Sequence, residues 1–345
     1  MAFKSLFEKI GFNVVVPPEI TKNTINLGLK NSPETICFPF KVALGSIIEA
    51  LDKGAKGIVM ASTHGPCRFG EYHRIQESVL RRMGYDFEMI ILDQDQLLDF
   101  KSDKSPIKKL ISYTGATYRE LWDGIRLFYN KSKAIKDIEA LRNCSRVYEF
   151  EKGESDLAFK DFLNDLDKAS TVKLVKLVTR DYKNKYNSFK KRPRKDILKI
   201  GLIGEIYVSN SSYLNLDVEK MLSDLGVEVY NHSTVFDWID VKRRLPFVRR
   251  AIGQLGNKYL KYPIGGSEGI RTINLIRKFS KENYDGVLHL YPFACMPEII
   301  IKSMIPQLSK DYHIPVLSLN LDEQTGRAGF ATRIEAFIDM IKRFK

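Results

Sequence analysis

Cys37, Cys67 and Cys295 each stand where an irregular stretch gives way to the start of a helical pattern, in PETICFPFKVALG, STHGPCRFGEYHR and LYPFACMPEII. A helix start presents unpaired backbone N–H groups and a partial positive charge to whatever precedes it, which lowers a thiol's pKa and favours an anion there. Three such thiolates could converge on one metal cluster. The remaining cysteine, Cys144, lies inside a helical run and reads as a plain buried or half-buried thiol.

The spacing sorts the metals. A structural zinc site needs four ligands at close paired spacing, and the chain has no C-x-x-C pair. Three widely separated thiolates with apolar and glycine-rich neighbours fit an iron-sulfur cluster better, one cysteine short of the usual set, with one iron open to water, substrate or a non-cysteine ligand. The alternative is three small core residues or a lone reactive thiol.

Other candidates surround these cysteines. His64 could donate a hydrogen bond to a cluster sulfur, shuttle a proton or fill a ligand position, or be a structural loop histidine. Glu298, three residues after Cys295, suits the first turn of a helix through the dipole, with proton transfer as the other reading. YPIGGSEGIR sets Gly265, Gly266 and Gly269 before a helix, either a backbone nest for a phosphate or the cluster, or a simple turn and cap. Asp322 and Glu323 follow the strand pattern PVLSLNL and, with Arg333, form a candidate polar surround; acidic residues that only cap the last helix would look the same. GLIGEIYV lacks the G-x-G-x-x-G spacing and no Walker A sequence occurs, so no ATP or nicotinamide site is expected here.

The elements that must position these residues alternate. Apolar helical spacing over Phe3, Leu6, Phe7 and Ile10 stops at Gly11, and NVVVPP then reads as a strand. A helix after Cys37, the strand GIVMAS, the helix EYHRIQESVLRRMG and the strand FEMIIL complete an α/β unit. Helical periodicity fills about 101–195, with YNSFKKRPRKD as its exit linker, and strand–helix alternation resumes at ILKIGLIGEIYV. The expected class is α/β, with two Rossmann-like, doubly wound, mainly parallel domains and a helical insert between them: 1–100 carrying Cys37 and Cys67, 101–195 the insert and basic linker, and 196–345 carrying Cys295. The ligand edge of such sheets lies at the strands' carboxyl ends, where Cys67 and Cys295 both fall, so the site would be an interdomain cleft. The chain begins in a helix where a doubly wound domain begins with a strand; either that strand is missing by design or the sequence starts late.

Composition bounds the setting. Four cysteines in 345 residues, far apart, do not make a disulfide framework, and neither a signal core nor a membrane-spanning apolar run is present, so a cytoplasmic protein is expected. The net charge of +13 is partly local: ten basic residues and one acid, Asp181, between Lys173 and Lys195, and seven basic residues and no acid between Lys242 and Lys261. These stretches are either solvated helical faces or surfaces for an acidic protein or a phosphate-bearing ligand. Nucleic acid ranks last, because no recognised nucleic-acid motif accompanies the charge.

PETICFPFKVALGSIIEALDKGA, STHGPCRFGEYHRIQ, GLIGEIYV, YPFACMPEIIIKSMIPQLS and LDEQTGRAGFATRIEAFIDM together resemble the 2-hydroxyacyl-CoA dehydratase and benzoyl-CoA reductase superfamily. The resemblance is closest to its shorter, activase-associated branch, sometimes filed as a domain of unknown function. It implies an oxygen-sensitive, low-potential 4Fe-4S cluster held by three cysteines, here Cys37, Cys67 and Cys295. It also implies single electrons from a separate ATP-hydrolysing activase carrying its own cluster, an acyl-CoA substrate, and assembly as a homo- or hetero-dimer. The activity implied is that of a dehydratase-type lyase or a low-potential reductase component. A non-catalytic electron-transfer or scaffold subunit is the alternative, as is a double-cubane reductase, although that arrangement uses more cysteines than the three placed here.

Overall fold

Continuous apolar runs become parallel strands, as their lack of a polar face requires. A computed structural model describes residues 1–63, 67–93, 105–237 and 268–344. His64, Gly265, Gly266 and the basic stretch Lys242–Lys261 lie outside the described residues. In the first lobe β1 (Gly57–Ser62) pairs in parallel with β2 (Glu88–Asp93), from Gly57↔Glu88 to Ser62↔Asp93. The second lobe holds β3 (Leu198–Gly204), β4 (Val227–Asn231), β5 (Gly286–Pro292) and β6 (Val316–Leu321) in the all-parallel order β4-β3-β5-β6. From β3 the chain moves to β4 on one flank and later returns to β5 on the other. The carboxyl ends of β3 and β5 therefore flank a topological switch point, the place where open α/β sheets take ligands.

Around the first sheet run α1 (Ala2–Lys9), α2 (Lys22–Asn31), α3 (Phe38–Asp52) and α4 (Tyr72–Arg82), the last preceded by a single 3-10 turn, Arg68–Glu71. α3 is buried on two faces. Phe40, Leu44, Ile48 and Leu51, at helical spacing, pack with Tyr72, Leu80, Phe87 and Met89 of the first lobe. Phe38 and Val42 join Leu202, Leu290, Leu319 and Leu321 in the core of the second. This helix is thus shared between the lobes.

α2 and α3 meet backbone to backbone. A Cβ on Gly28 would lie 1.7 Å from the Lys41 carbonyl oxygen, and one on Gly45 would lie 1.9 Å from that of Thr24. Only glycine permits such an approach. The Thr24 hydroxyl then donates to the Glu49 carboxylate at 2.9 Å, which pins the crossing and with it the Ser32–Cys37 turn that leads into α3.

Between the lobes lie α5 (Pro106–Thr114), α6 (Tyr118–Arg146), α7 (Glu154–Lys168) and α8 (Val172–Asn187), with a core built from Ile138, Phe162, Leu166, Val175 and Tyr186. The 29-residue α6 opens with a capping box of Thr117 and Glu120. α1 belongs to this bundle: the buried Lys131 ammonium donates to the Ser5 hydroxyl at 2.7 Å and to the Asp167 carbonyl at 3.1 Å. In the second lobe α9 (Ile206–Asn210), α10 (Val218–Asp224), α11 (Glu268–Lys281), α12 (Met296–Tyr312) and α13 (Arg327–Phe344) cover the sheet.

Two sequence expectations need correction, and one helix was not anticipated. NVVVPP is not a strand: Asn13–Pro18 runs without regular structure, and Pro17 and Pro18 have no N–H to donate to a ladder. The polar segment Lys22–Asn31, which carries no clear apolar period, is the helix α2. GLIGEIYV does not continue as strand past Gly204; Glu205 accepts from the Val208 N–H and starts α9.

The α2–α3 crossing gives a direct stability test. Gly45→Ala pushes a methyl into the Thr24 backbone and is expected to cost about 3 kcal/mol in urea unfolding, at the upper end of overpacking penalties. Gly326→Ala, with nothing within 4 Å of its Cβ, serves as the control and stays near zero.

Candidate metal centre

Each of the three cysteines is an N-cap. Cys37 precedes α3, with Pro39 in the first turn; Cys67 precedes the Arg68–Glu71 turn; Cys295 precedes α12, with Pro297 in its first turn. Proline fits there because its missing N–H is one that a first turn leaves unpaired anyway. Cys37 and Cys295 are buried and Cys67 is half-buried.

The segments that carry these N-caps are tied to one another. Cys67 sits beyond the end of β1 in a turn held by the Ser62 hydroxyl, which donates to the Gly70 carbonyl at 2.9 Å. Arg68 ties this turn to the loop before Cys37 by donating to the Thr35 carbonyl at 2.7 Å. Tyr72, edge-on to Phe40 and Phe69, forms a short hydrogen bond with the Cys37 thiol. From the second lobe, the Phe293 carbonyl accepts from the Phe38 N–H at 3.3 Å, and Ala294 packs in the same cluster as Cys37. Ala294 has φ of 59°, a left-handed conformation rare for a residue with a side chain, and it turns the chain sharply from β5 into Cys295.

Burial overrides the helix starts. It pushes the Cys37 thiol above its ordinary range, against lowering contributions from the Tyr72 hydrogen bond and the Phe40 N–H. Burial likewise pushes Cys295 strongly up, with the Glu205 and Glu298 charges adding to it and the Glu298 N–H opposing. The expected lowering by helix N-termini is therefore present in kind but smaller than desolvation, as apolar surroundings dictate. Tyr72 is raised as well, through burial first and then the Cys37 charge. Both buried thiols are neutral at pH 7, so taking up a metal there releases protons.

Glu205 was not singled out from the sequence. Its signal was legible only in retrospect: an acid directly after GLIG, at the carboxyl end of β3 and so at the switch point. His289 on β5 was also missed. Its Nε2 pairs with the Glu298 carboxylate at 2.8 Å and its Nδ1 with the Ser318 hydroxyl at 3.0 Å, with Thr272 on the other side of Glu298. Glu298 is thus locked into a buried network behind Cys295, a firmer tie than a dipole preference.

The other sequence candidates divide. Glu323 forms an ion pair with Lys41 of α3 at 2.8 Å, with the Lys41 side chain 5% exposed, so it joins the lobes one turn from Cys37. Asp322 closes a local turn, accepting from the Gln324 N–H and the Thr325 hydroxyl, as a capping residue would. Arg333 is exposed on α13, and Gly269 is buried in the first turn of α11. Cys144 lies half-buried on α6, hydrogen-bonded to Tyr230. Among the described residues no three His, Cys, Asp or Glu side chains close on a single metal ion.

A second polar feature lies away from the cysteines, in a cavity of about 380 Å³ between α6, α7 and the α9–α10 segment. Arg142 donates to Glu219 at 2.8 Å and to Glu139 at 3.2 Å, and Arg146 pairs with Asp156. Burial and the Glu219 charge push Glu139 up to about 7.

An α/β protein with three cysteine N-caps gathered at a strand switch point is the class that this fold and site define. Residues 104–341 match the family described as 2-hydroxyglutaryl-CoA dehydratase, D-component, and residues 1–66 match the CoA enzyme activase uncharacterised domain. The chain belongs to the 2-hydroxyglutaryl-CoA dehydratase D-component family. A search of curated proteins finds no match to it. No helix among the described residues is long and apolar enough to cross a membrane.

Two measurements test this electrostatic picture. Lys41→Met leaves Glu323 without its partner and is expected to cost about 3 kcal/mol, whereas Lys41→Met with Glu323→Leu recovers most of it. Glu139 has a folded pKa above its ordinary 4.5, so its contribution to stability is full below that pH and is lost as pH rises to about 7. Urea unfolding should show the wild type losing on the order of 2 kcal/mol across that window relative to Glu139→Gln.

Proposed function

We propose that this chain is an iron-sulfur component of a 2-hydroxyacyl-CoA dehydratase-type system, with Cys37, Cys67 and Cys295 holding a 4Fe-4S cluster in the crevice between the lobes. The observation that carries the reading is the gathering of three cysteine N-caps, from segments far apart in sequence, at the switch point of the larger sheet. The donor set fits the group: all three candidate ligands are cysteine sulfurs, the donors that iron-sulfur clusters take. Family membership over residues 104–341 points the same way.

When bound, such a cluster supplies single electrons at low potential. The chain's own residues do the rest. The Phe40 and Glu298 N–H groups face the Cys37 and Cys295 sulfurs and stabilise their negative charge. Phe38, Phe40 and Tyr72 wall the crevice and keep water from the sulfurs. The Lys41–Glu323 pair holds the lobes at fixed separation. Electrons would come from an ATP-hydrolysing activase and pass to an acyl-CoA thioester in the crevice. The match of residues 1–66 to a CoA enzyme activase domain supports that partner. The exposed Lys173, Lys176 and Arg180 on α8 offer a basic face for an acidic partner or for coenzyme A phosphates. Because the matched family is one component of a dehydratase, the chain would work beside a second subunit, as a homo- or hetero-dimer in the cytoplasm.

The test is anaerobic purification with iron and acid-labile sulfide analysis and electron paramagnetic resonance (EPR) of the reduced protein. About four irons and four sulfides per chain are expected. Single Cys37→Ser, Cys67→Ser and Cys295→Ser variants should lose most of both, while Cys144→Ser keeps them. A wild type that holds no iron after anaerobic reconstitution, or equal loss in Cys144→Ser, overturns the reading.

A further inference from the structure

We propose that the cavity of about 380 Å³ between α6, α7 and the α9–α10 segment is a binding site for a small zwitterion of the α-amino acid class. This goes beyond the cluster reading above and stands or falls apart from it.

Three residues on the cavity wall carry polar groups that the fold leaves unused. The first is the Ser209 hydroxyl on α9: the residue is 1% exposed, and its Oγ has no hydrogen-bond partner. A buried hydroxyl without a partner costs free energy, and at a cavity wall it calls for a bound molecule that supplies one. The second is Nη1 of Arg142. Nη2 carries the bonds to Glu139, Glu219 and Asn143 and Nε bonds Asn143 again, while Nη1 has no partner among the described residues. The guanidinium lies over the Phe159 ring, 4.3 Å from its centroid, and is thereby held in one orientation. The third is the Asp217 carboxylate. Asp217 is the N-cap of α10, yet its side chain caps nothing and makes no ion pair among the described residues. Leu216 and Asp217 both take left-handed conformations, with φ of 58° and 57°, and the Asp217 N–H donates to the Ser212 carbonyl at 2.8 Å. Strain of this kind clusters at ligand clamps.

These groups select the ligand. A guanidinium nitrogen and a hydroxyl on one wall take a carboxylate, and a spare carboxylate takes an ammonium. The charge balance agrees. Arg142, Arg146 and Lys220 line the cavity against Glu139, Asp156, Glu219 and Asp217. Burial first and then the Glu219 charge raise Glu139 to about 7, so it carries only part of its charge at neutral pH. The balance is therefore close to zero, which a zwitterion preserves and a phosphate ester or a polyamine upsets. Because α6 and α7 belong to the helical insert and α9 and α10 to the second lobe, the ligand bridges the two.

The test is calorimetric titration of the full chain with the common amino acids, one at a time. Each binder is then compared with the amine that lacks its carboxylate and the acid that lacks its ammonium group. At least one amino acid is expected to bind at a single site, with both truncated analogues weaker by about tenfold or more. Ser209→Ala removes only the unpartnered hydroxyl, so it should leave urea unfolding unchanged while weakening the amino acid about tenfold. Asp217→Asn keeps a residue that tolerates the left-handed conformation and should weaken the amino acid by about the same factor, with no effect on the acid analogue. No binding by any amino acid, an acid analogue that binds as tightly as the amino acid, or wild-type affinity in either folded variant overturns the assignment. If Ser209→Ala fails to fold, Asp217→Asn decides alone. The iron content of the protein bears on none of these outcomes.

Discussion

The ion pair between Lys41 and Glu323 is the constraint on which the arrangement depends. It joins the first turns of α3 to the loop after β6, and both partners are largely out of water. A buried pair of this kind adds little net stability over a hydrophobic pair, but removing either partner strands a charge. It therefore works as a register device: α3 has one seat against the second lobe in which Lys41 finds Glu323, Phe38 finds the Phe293 carbonyl, and Phe38 and Val42 enter the core of the larger sheet. In that seat the turn before Cys295 lies against the start of α3.

The cysteine electrostatics follow from the same packing. Helix N-termini favour thiolates, and three of them point at the crevice, yet the apolar walls that exclude water raise Cys37 and Cys295. The site favours neutral thiols when empty of metal and negatively charged sulfur once metal binds, because the backbone N–H groups then gain a partner whose charge the metal offsets. A solvent-exposed trio of low-pKa cysteines would be open to oxidation instead.

Much of the second lobe was legible. GVLHLYP and most of LKIGLIG are apolar without alternation, which is how a central strand covered on both faces must read, whereas VEVYN and VLSLNL, at the two edges of the sheet, alternate; β3, β5 and β6 are each followed by a helical period. The cysteine positions at helix starts were visible for the same reason, through Pro39 and Pro297 and the apolar periods after them. What stayed hidden depended on distant partners. Val14, Val15 and Val16 have strand-like side chains but pair with no strand among the described residues. α2 is stabilised by the Gly28–Gly45 approach rather than by an apolar stripe of its own. The pairings of Glu298 with His289 and of Glu323 with Lys41 join separate elements, which no local pattern encodes.

The sharing of α3 bears on synthesis. Lys41 and Glu323 are separated by 282 residues, and the sheet that receives Phe38 and Val42 gains β5 and β6 long after α3 has been made. A two-stranded sheet needs helices packed on it to be stable. During translation α3 leaves the ribosome with one side uncovered, and it stays so until β5 and β6 have emerged. Such long-range closure makes folding slow and leaves apolar surface open to aggregation, so the lobe that α3 opens is completed only when the larger sheet is.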